Sequence, residues 1–203
     1  MANQGDTYAG YVDLAHSETD GKDYAVLSRP GRSLVAVIAP HGGAIEAGTC
    51  ELADAVAGDS HSFYAFKGIK PDGNWVLHIT SHRFDEPIGL QVVNQAHVAV
   101  AIHGHRDRRR EIVYIGGRNE TLKEKIETSL TRSGFRVEMT DRIGLQARHP
   151  QNICNRCRSG RGVQLEISRA LREKLFDRLP DRFRRRRTQL FHSFVEALRS
   201  ALR

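Results

Sequence analysis

Ser33-Leu34-Val35-Ala36-Val37-Ile38-Ala39 is a continuous apolar run that stops at Pro40, and His41-Gly42-Gly43 follows it. A short run without polar alternation is typical of a strand that is buried on both faces, as in a mainly parallel sheet. A second such run, His97-Val98-Ala99-Val100-Ala101-Ile102, leads into His103-Gly104-His105. The two runs predict two buried strands, each of which ends at a histidine.

Helix-like and strand-like segments alternate along most of the remaining chain. Further strands are predicted at 62–66, 75–80, 111–115, 135–138 and 163–167, and helices at 44–57, 87–95, 119–133, 169–178 and 181–203. The helix predicted at 181–203 is basic and amphipathic. Alternation of this kind indicates an α/β fold with helices on both faces of the sheet. We therefore predict one domain over residues 1–203, with a mixed, mostly parallel sheet flanked by helices.

Composition limits the class of protein. The 203 residues are 39% hydrophobic and 27% charged, as in an ordinary soluble globular chain. We find no apolar stretch near the ~20 residues of a membrane helix and no signal-peptide pattern, so we expect a cytoplasmic protein without membrane contact. The formal net charge of +7, concentrated in the runs Arg106 to Arg110 and Arg182 to Arg187, predicts an anionic partner.

Cysteine spacing offers one more candidate site. Cys154 and Cys157 form a lone CxxC, and Cys50 is the third cysteine. A redox pair or half of a metal site would use this spacing. Because a second CxxC and a histidine pair at finger spacing are both missing, we predict two reduced thiols in a loop.

Polar residues follow three of the apolar strands at the point where each strand ends. His41 and Glu46 come after the first run, His103 after the second, and Glu166 lies near the end of the last predicted strand. In open α/β sheets the ligand site lies beyond the carboxyl ends of the strands. Two histidine nitrogens and one carboxylate can hold a catalytic zinc ion with one position open for water. Glu166 would then be the carboxylate that accepts a proton from that water.

Other histidines compete for the same role. His105 is a possible replacement for His103, although it lies further into a charged loop, and Ser81-His82-Arg83-Phe84-Asp85 also follows a predicted strand, as does His78. A histidine at a strand end is more often a hydrogen-bonded core or surface residue than a ligand, and Glu166 could simply pair with an arginine. From spacing alone, a metal site and a set of ordinary hydrogen-bonded histidines are therefore equally supported interpretations.

The sequence resembles the poly-γ-glutamate hydrolase family of bacteriophages and bacilli, whose fold is similar to that of zinc carboxypeptidases. The resemblance covers about Tyr8 to Leu171. It rests on four segments in order: Ala39-Pro40-His41-Gly42-Gly43-Ala44-Ile45-Glu46, Ser81-His82-Arg83-Phe84-Asp85-Glu86-Pro87, Ile102-His103-Gly104 and Gly162-Val163-Gln164-Leu165-Glu166-Ile167-Ser168.

The resemblance implies zinc bound by His41, Glu46 and His103, with Glu166 as general acid and base. It also implies hydrolysis of γ-linked glutamyl amides in a polyglutamate or acyl-glutamate substrate. The family's carboxylate-binding stretch appears as Asn152-Ile153-Cys154-Asn155-Arg156, so Asn155 and Arg156 are the candidate substrate-binding residues, with Arg161 in reserve. The loop Arg106 to Arg110 and the arginine-rich C-terminal segment depart from the family pattern.

Two other hypotheses belong to different functional classes. The basic segment around Asp181-Arg182-Phe183-Arg184-Arg185-Arg186-Arg187 suggests a nucleic-acid-binding protein of phage or prophage origin, although no recognisable reading motif accompanies it. A degenerate enzyme that only binds carboxylates is the third hypothesis, and the intact set of candidate ligands argues against it.

Overall fold

A seven-stranded sheet forms the centre of the computed structural model, which describes residues 5–181 and 183–203. The sheet order is β1-β3-β2-β4-β7-β5-β6. The strands are β1 Tyr24–Arg29, β2 Val35–Gly43, β3 Ser62–Gly68, β4 Val98–His105, β5 Val113–Gly117, β6 Val137–Met139 and β7 Val163–Ser168. β1 and β5 run antiparallel to their neighbours β3 and β7, and the other pairings are parallel. The predicted α/β fold with a mixed, mostly parallel sheet is thus confirmed.

Helices cover both faces of this sheet. They are α1 Tyr11–Ser17, α2 Thr49–Ala57, α3 Pro87–Gln95, α4 Glu120–Arg132, α5 Arg169–Leu175 and α6 Gln189–Ala201. Val37 and Ala39 of β2 face one apolar core with α2, α4, α5 and α6, while Ala36 and Ile38 face a second core with α1 and α3. Burial of alternate residues in two cores explains why the β2 sequence is apolar throughout.

The three central strands β2, β4 and β7 are parallel neighbours, so their carboxyl ends lie at one edge of the sheet. The register pairs Val35 with Val98 across β2 and β4, and His103 directly with Glu166 across β4 and β7. Side chains from three segments far apart in sequence therefore meet at this edge.

Two predicted elements before α3 differ in the structure. The segment predicted as a strand at 75–80 contains a 3₁₀ turn, Asn74–Leu77, that follows Gly73. The helix predicted from residue 44 begins at Thr49, because Gly48, with φ of +93°, interrupts the helical path. The sequence does not predict the helix α1 or the edge strand β1, since both are short and their apolar residues show no clear period.

The C-terminal helix begins later than predicted. It starts at Gln189 rather than near Asp181, after Thr188, whose hydroxyl accepts a hydrogen bond from the Phe191 amide. The helix predicted at 169–178 ends at Leu175 for a related reason: the next two residues pair with Arg186–Arg187 as the short strands β8 and β9. Arg182 of the basic run lies outside the described residues.

The helices of residues 5–181 and 183–203 include none with the length and apolar character needed to cross a bilayer.

Candidate active site

His41 and Glu46 are brought together by the turn that follows β2. Gly43 has a φ of +70°, which a residue with a side chain rarely adopts, and the Glu46 amide donates a hydrogen bond to the His41 carbonyl over 2.9 Å. Glu46 therefore lies in this turn, before α2 rather than in its first turn as the sequence suggested. The side chain folds back towards the end of β2.

The side chains of His41, Glu46 and His103 converge. The two Nδ1 atoms of the histidines are 3.1 Å apart, and they lie 3.3 Å and 3.6 Å from the Glu46 carboxylate oxygens. All three side chains are buried. The Gly104 amide donates to Glu46 Oε2 over 2.8 Å and holds the carboxylate beside β4.

Hydrogen bonding determines which nitrogen of His41 faces this cluster. Its Nε2 lies 2.8 Å from the Ile79 carbonyl oxygen. A carbonyl only accepts, so Nε2 carries the hydrogen and the lone pair of neutral His41 is on Nδ1. Nε2 of His103 is buried and has no hydrogen-bond partner among residues 5–181 and 183–203.

The buried charges stabilise one another. Burial raises the pKa of Glu46, but the charges and hydrogen bonds of His41 and His103 lower it by more, so the carboxyl pKa lies well below its usual range. For His103, burial lowers the pKa, and the Glu46 hydrogen bond with the Glu46 and Glu166 charges raises it above its usual value. These opposed effects keep Glu46 ionised at neutral pH.

Glu166 lies on β7 opposite His103 and lines the same cavity. Its Oε1 accepts a hydrogen bond from Gln164 Nε2 over 2.9 Å. Burial raises the pKa of Glu166 to about 7, against the opposing effect of His103. A carboxyl with such a pKa can accept and return a proton near neutral pH.

The competing histidines occupy different surroundings. His78 brings a ring nitrogen within 4.8 Å of ligand atoms on His41 and Glu46, and its ring lies 4.1 Å from that of His41. His82 lines the cavity beside His149. His105 packs edge-on against Tyr114, and its Nδ1 accepts a hydrogen bond from the Asp107 amide.

A cavity of about 660 Å³ opens in front of these side chains. The loop 143–149 forms one wall of it, and in the described part of the chain Arg148 is the arginine that lines it. Sequence reasoning missed Arg148. The sequence held little signal for it, because it is one of several arginines in the segment 140–162 and differs from them only in standing directly before His149-Pro150.

Asn155 is buried behind that wall. Its Nδ2 donates to the Ala147 and His149 carbonyls over 2.7 and 3.0 Å, and its Oδ1 accepts from the Gly162 amide. The side chain thereby holds both neighbours of Arg148, including Ala147 with an unusual φ of +49°. The other two predicted substrate-binding residues, Arg156 and Arg161, are not among the described residues that line the cavity.

The two thiols predicted to be reduced are unpaired in the structure, as is Cys50. Cys154 and Cys157 are both buried, and burial raises the pKa of the Cys154 thiol above its usual range. A buried thiol of this kind is a poor nucleophile and a poor redox centre.

Comparison with known proteins gives concordant matches. Residues 8–197 match the family of poly-gamma-glutamate hydrolases. The chain is 34% identical to the UPF0714 protein YmaC of Bacillus subtilis (strain 168), over 99% of this chain and 86% of YmaC. A solved bacteriophage poly-gamma-glutamate hydrolase has a TM-score of 0.92 and 37% identity, covering 97% of this chain and 96% of that chain. A zinc-free apo structure of YndL has a TM-score of 0.89 and 31% identity, covering 97% of each chain.

Proposed function

The chain belongs to the poly-gamma-glutamate hydrolase family, and from this premise we propose that it is a zinc-dependent amidohydrolase that cleaves γ-glutamyl amide bonds. Its substrate is an anionic polyglutamate or acyl-glutamate. The observation that carries the proposal is the convergence of His41, Glu46 and His103 in front of a cavity that Glu166 also lines.

The spacing of the three side chains fits zinc. In a tetrahedral site with ligand bonds of ~2.0–2.2 Å, neighbouring ligand atoms are about 3.3–3.6 Å apart. The distances of 3.1, 3.3 and 3.6 Å between the two Nδ1 atoms and the carboxylate lie close to this range. A zinc-binding histidine commonly donates a hydrogen bond from its other ring nitrogen, and the Ile79 carbonyl accepts this bond from His41 Nε2. The zinc-free form of the related YndL supports the same metal.

We assign His103, and not His78, as the third ligand. The His78 Nδ1 faces Asp6 Oδ1 over 2.9 Å, and its ring lies between the rings of Trp75 and His41 at 4.3 and 4.1 Å. The His41 and His78 ring planes are tilted by 35°, and the His78 Nδ1 is already engaged by Asp6. The His41 and His103 rings instead meet edge-on at 72° with their Nδ1 atoms 3.1 Å apart, so that one ion could contact both nitrogens.

His41, Glu46 and His103 would hold a zinc ion, which when bound would polarise the scissile carbonyl and make water nucleophilic near neutral pH. Glu166 accepts the proton that the attacking water loses, at Oε2, because Oε1 already accepts from Gln164. As the C–O bond forms and the C–N bond breaks, Glu166 returns this proton to the leaving amine nitrogen. Arg148, at the cavity wall, binds a substrate carboxylate, and Asn155 positions it through the flanking carbonyls. Arg156 and Arg161 have no part in this assignment.

Glu166→Gln tests the proposed proton transfer. The amide keeps the size of the side chain but cannot accept the proton, so we expect kcat on poly-γ-glutamate to fall by about 10²–10⁴-fold. Elemental analysis should still find one zinc per chain. Glu124→Gln, on the exposed surface of α4, is the matched control and should keep full activity. Hydrolysis by Glu166→Gln at the unsubstituted rate would contradict the proposal, as would purified active protein without zinc.

A further inference from the structure

We propose that a second pocket, next to the metal ligands, binds a carboxylate of the anionic substrate chain and so adds a subsite to the cleavage site. This inference rests on the proposed function. The pocket has a volume of about 300 Å³, and we call it the arginine pocket. The side chains that define it are Glu46, Trp75, Arg106, Arg108, Arg169 and Arg172.

Positive charge in the arginine pocket exceeds negative charge. Arg169 is neutralised by Glu173 at 2.7 Å, but Arg106 and Arg108 have no carboxylate within 4.0 Å in the described part of the chain. Asp107 lies between them in sequence, yet it accepts hydrogen bonds from the Arg109 and Arg110 amides and from Arg110 Nε. Its charge is therefore used within the loop, and the two exposed guanidinium groups are free to bind an anion.

Arg172 adds a buried guanidinium to one side of this pocket. It is 3% exposed and donates hydrogen bonds to the carbonyls of Ile167, Ala47 and His105. Among residues 5–181 and 183–203, no carboxylate lies within 4.0 Å of it. A buried charge without a counter-ion is costly, and two of the five guanidinium N–H groups remain for a further acceptor. An anion in the arginine pocket would supply that acceptor and the missing charge.

Trp75 connects the arginine pocket to the metal site. The Arg106 guanidinium lies 4.0 Å above its ring, and the His78 ring stacks on it at 4.3 Å. Two groups this close to one ring occupy its two faces, so a nucleobase has no free face of Trp75 on which to stack. Glu46 lines both cavities, which therefore adjoin at this carboxylate.

This arrangement favours a polymer that carries a carboxylate on every residue. While one amide bond lies at the metal site, a carboxylate of an adjacent residue can enter the arginine pocket. The guanidinium fork of Arg106, held flat by Trp75, matches the two oxygens of a carboxylate. A γ-glutamyl amide whose amine part carries no carboxylate, such as γ-glutamyl-p-nitroanilide, has no such second carboxylate and gains nothing from the pocket.

The experiment compares Arg106→Gln/Arg108→Gln with Arg109→Gln/Arg136→Gln, which removes the same charge from exposed positions outside the arginine pocket. Each pair is made in the Glu166→Gln background, and binding of poly-γ-glutamate is measured by calorimetry. We expect the first pair to weaken binding at least tenfold and the control pair less than twofold. In the active background, KM should rise for the polymer and not for γ-glutamyl-p-nitroanilide.

Several results would overturn the subsite. Both pairs of substitutions could weaken polymer binding equally, or Arg106→Gln/Arg108→Gln could leave polymer binding unchanged. The same pair could also weaken the binding of single-stranded DNA tenfold without weakening that of polyglutamate. The two proposals fail separately. If the unsubstituted chain hydrolyses the polymer but Arg106→Gln/Arg108→Gln leaves binding and KM unchanged, only the subsite is lost. If no hydrolysis occurs but polymer binding still depends on this pair, the subsite remains and the proposed activity is lost.

Discussion

Glu46 links the two cavities of the site through a single carboxylate. Oε1 faces His41, and Oε2 faces His103 and accepts from the Gly104 amide. The same side chain lines the arginine pocket. The Gly104 amide therefore helps to orient this carboxylate, together with the two histidines.

Gly104→Ala tests that orientation. A Cβ at this position would lie 2.6 Å from Cζ of Arg172, whose guanidinium is held by three backbone carbonyls and cannot move freely. We expect the free energy of unfolding to fall by ~1–3 kcal/mol, because the buried group must shift. Urea unfolding of the metal-free protein measures this change.

Zinc affinity should fall with the same substitution, since the Gly104 amide would move away from Glu46. Gly73→Ala is the contrasting variant: its Cβ meets no atom within 4 Å, but its φ of +63° carries a backbone cost of its own. Unaltered zinc affinity and stability in Gly104→Ala would show that the Arg172 guanidinium can move away from the added methyl group without loss of free energy.

Asp6→Asn tests a charge that holds the N-terminal segment beside the site. Burial raises the pKa of Asp6, but hydrogen bonds from the Thr80 amide, His78 and Arg83 outweigh this and lower the pKa to about 2. A lowered carboxyl pKa stabilises the fold above the unfolded value of 3.8 and loses that contribution as pH falls towards 2. We expect Asp6→Asn to cost ~1–2 kcal/mol at pH 7.

The cost of Asp6→Asn should shrink between pH 4 and pH 2 when urea unfolding is measured across this range. Asp72→Asn, at an exposed position, should show no such dependence. A cost that is constant down to pH 2 would mean that the Asp6 carboxylate contributes no charge-dependent stability.

At the scale of elements, α6 contributes apolar surface to one face of the sheet. Phe191, Phe194 and Leu198 are buried in the core that α6 shares with α2 and α4, and Ser129 of α4 donates a hydrogen bond to the Ala197 carbonyl. The arginines before this helix are partly structural. The side chain of Arg185 is 4% exposed and pairs with Glu51 at 2.5 Å. Part of the basic run therefore stabilises the fold instead of remaining free for a polyanion.

Phe194→Ala measures what α6 contributes to stability. Its ring is fully buried and meets that of Phe135 edge-on at 5.0 Å, so its removal should cost ~3–5 kcal/mol. Phe183→Ala removes the same ring from a position that is 83% exposed and should change stability by less than ~0.5 kcal/mol. Equal effects of the two substitutions in chemical denaturation would show that α6 does not share the main core.

At the scale of the whole molecule, the proposed zinc site joins β2, the following turn and β4. A ligand that binds only the folded state stabilises it by about 2.7 kcal/mol at a free concentration of 100 Kd. For a chain of this size we expect a chelator to lower the thermal midpoint by roughly 5–10 °C, and added zinc to restore it. Differential scanning calorimetry with and without chelator measures this shift.

His41→Ala is the control for zinc removal. This variant has lost one proposed ligand, so the chelator should barely change its midpoint, although the variant itself is less stable. An equal shift in both proteins would place the metal elsewhere, and no shift in the unsubstituted chain would remove the proposed zinc site.

The sequence by itself determined which strands are buried in the sheet and which family the chain belongs to. Continuous apolar runs in β2 and β4 predicted strands that are buried on both faces, because such strands lack polar alternation, whereas β7 was predicted from the alternation of Val163, Leu165 and Ile167 with polar residues. Their polar ends indicated where His41, His103 and Glu166 would meet, and the resemblance to poly-γ-glutamate hydrolases was confirmed. The roles of these residues remain predictions, although the structure brings them together.

Only the tertiary structure decided which charged residues share a surface. Arg148, the arginine pocket and the bracing role of Asn155 depend on loops that meet across the sheet edge, and loop conformation has no sequence period. The start of α6 at Gln189 was likewise set by the pairing of β8 with β9, a contact between residues that local propensity does not describe. Periodicity is a local property of the chain, whereas binding surfaces arise from contacts between segments distant in sequence.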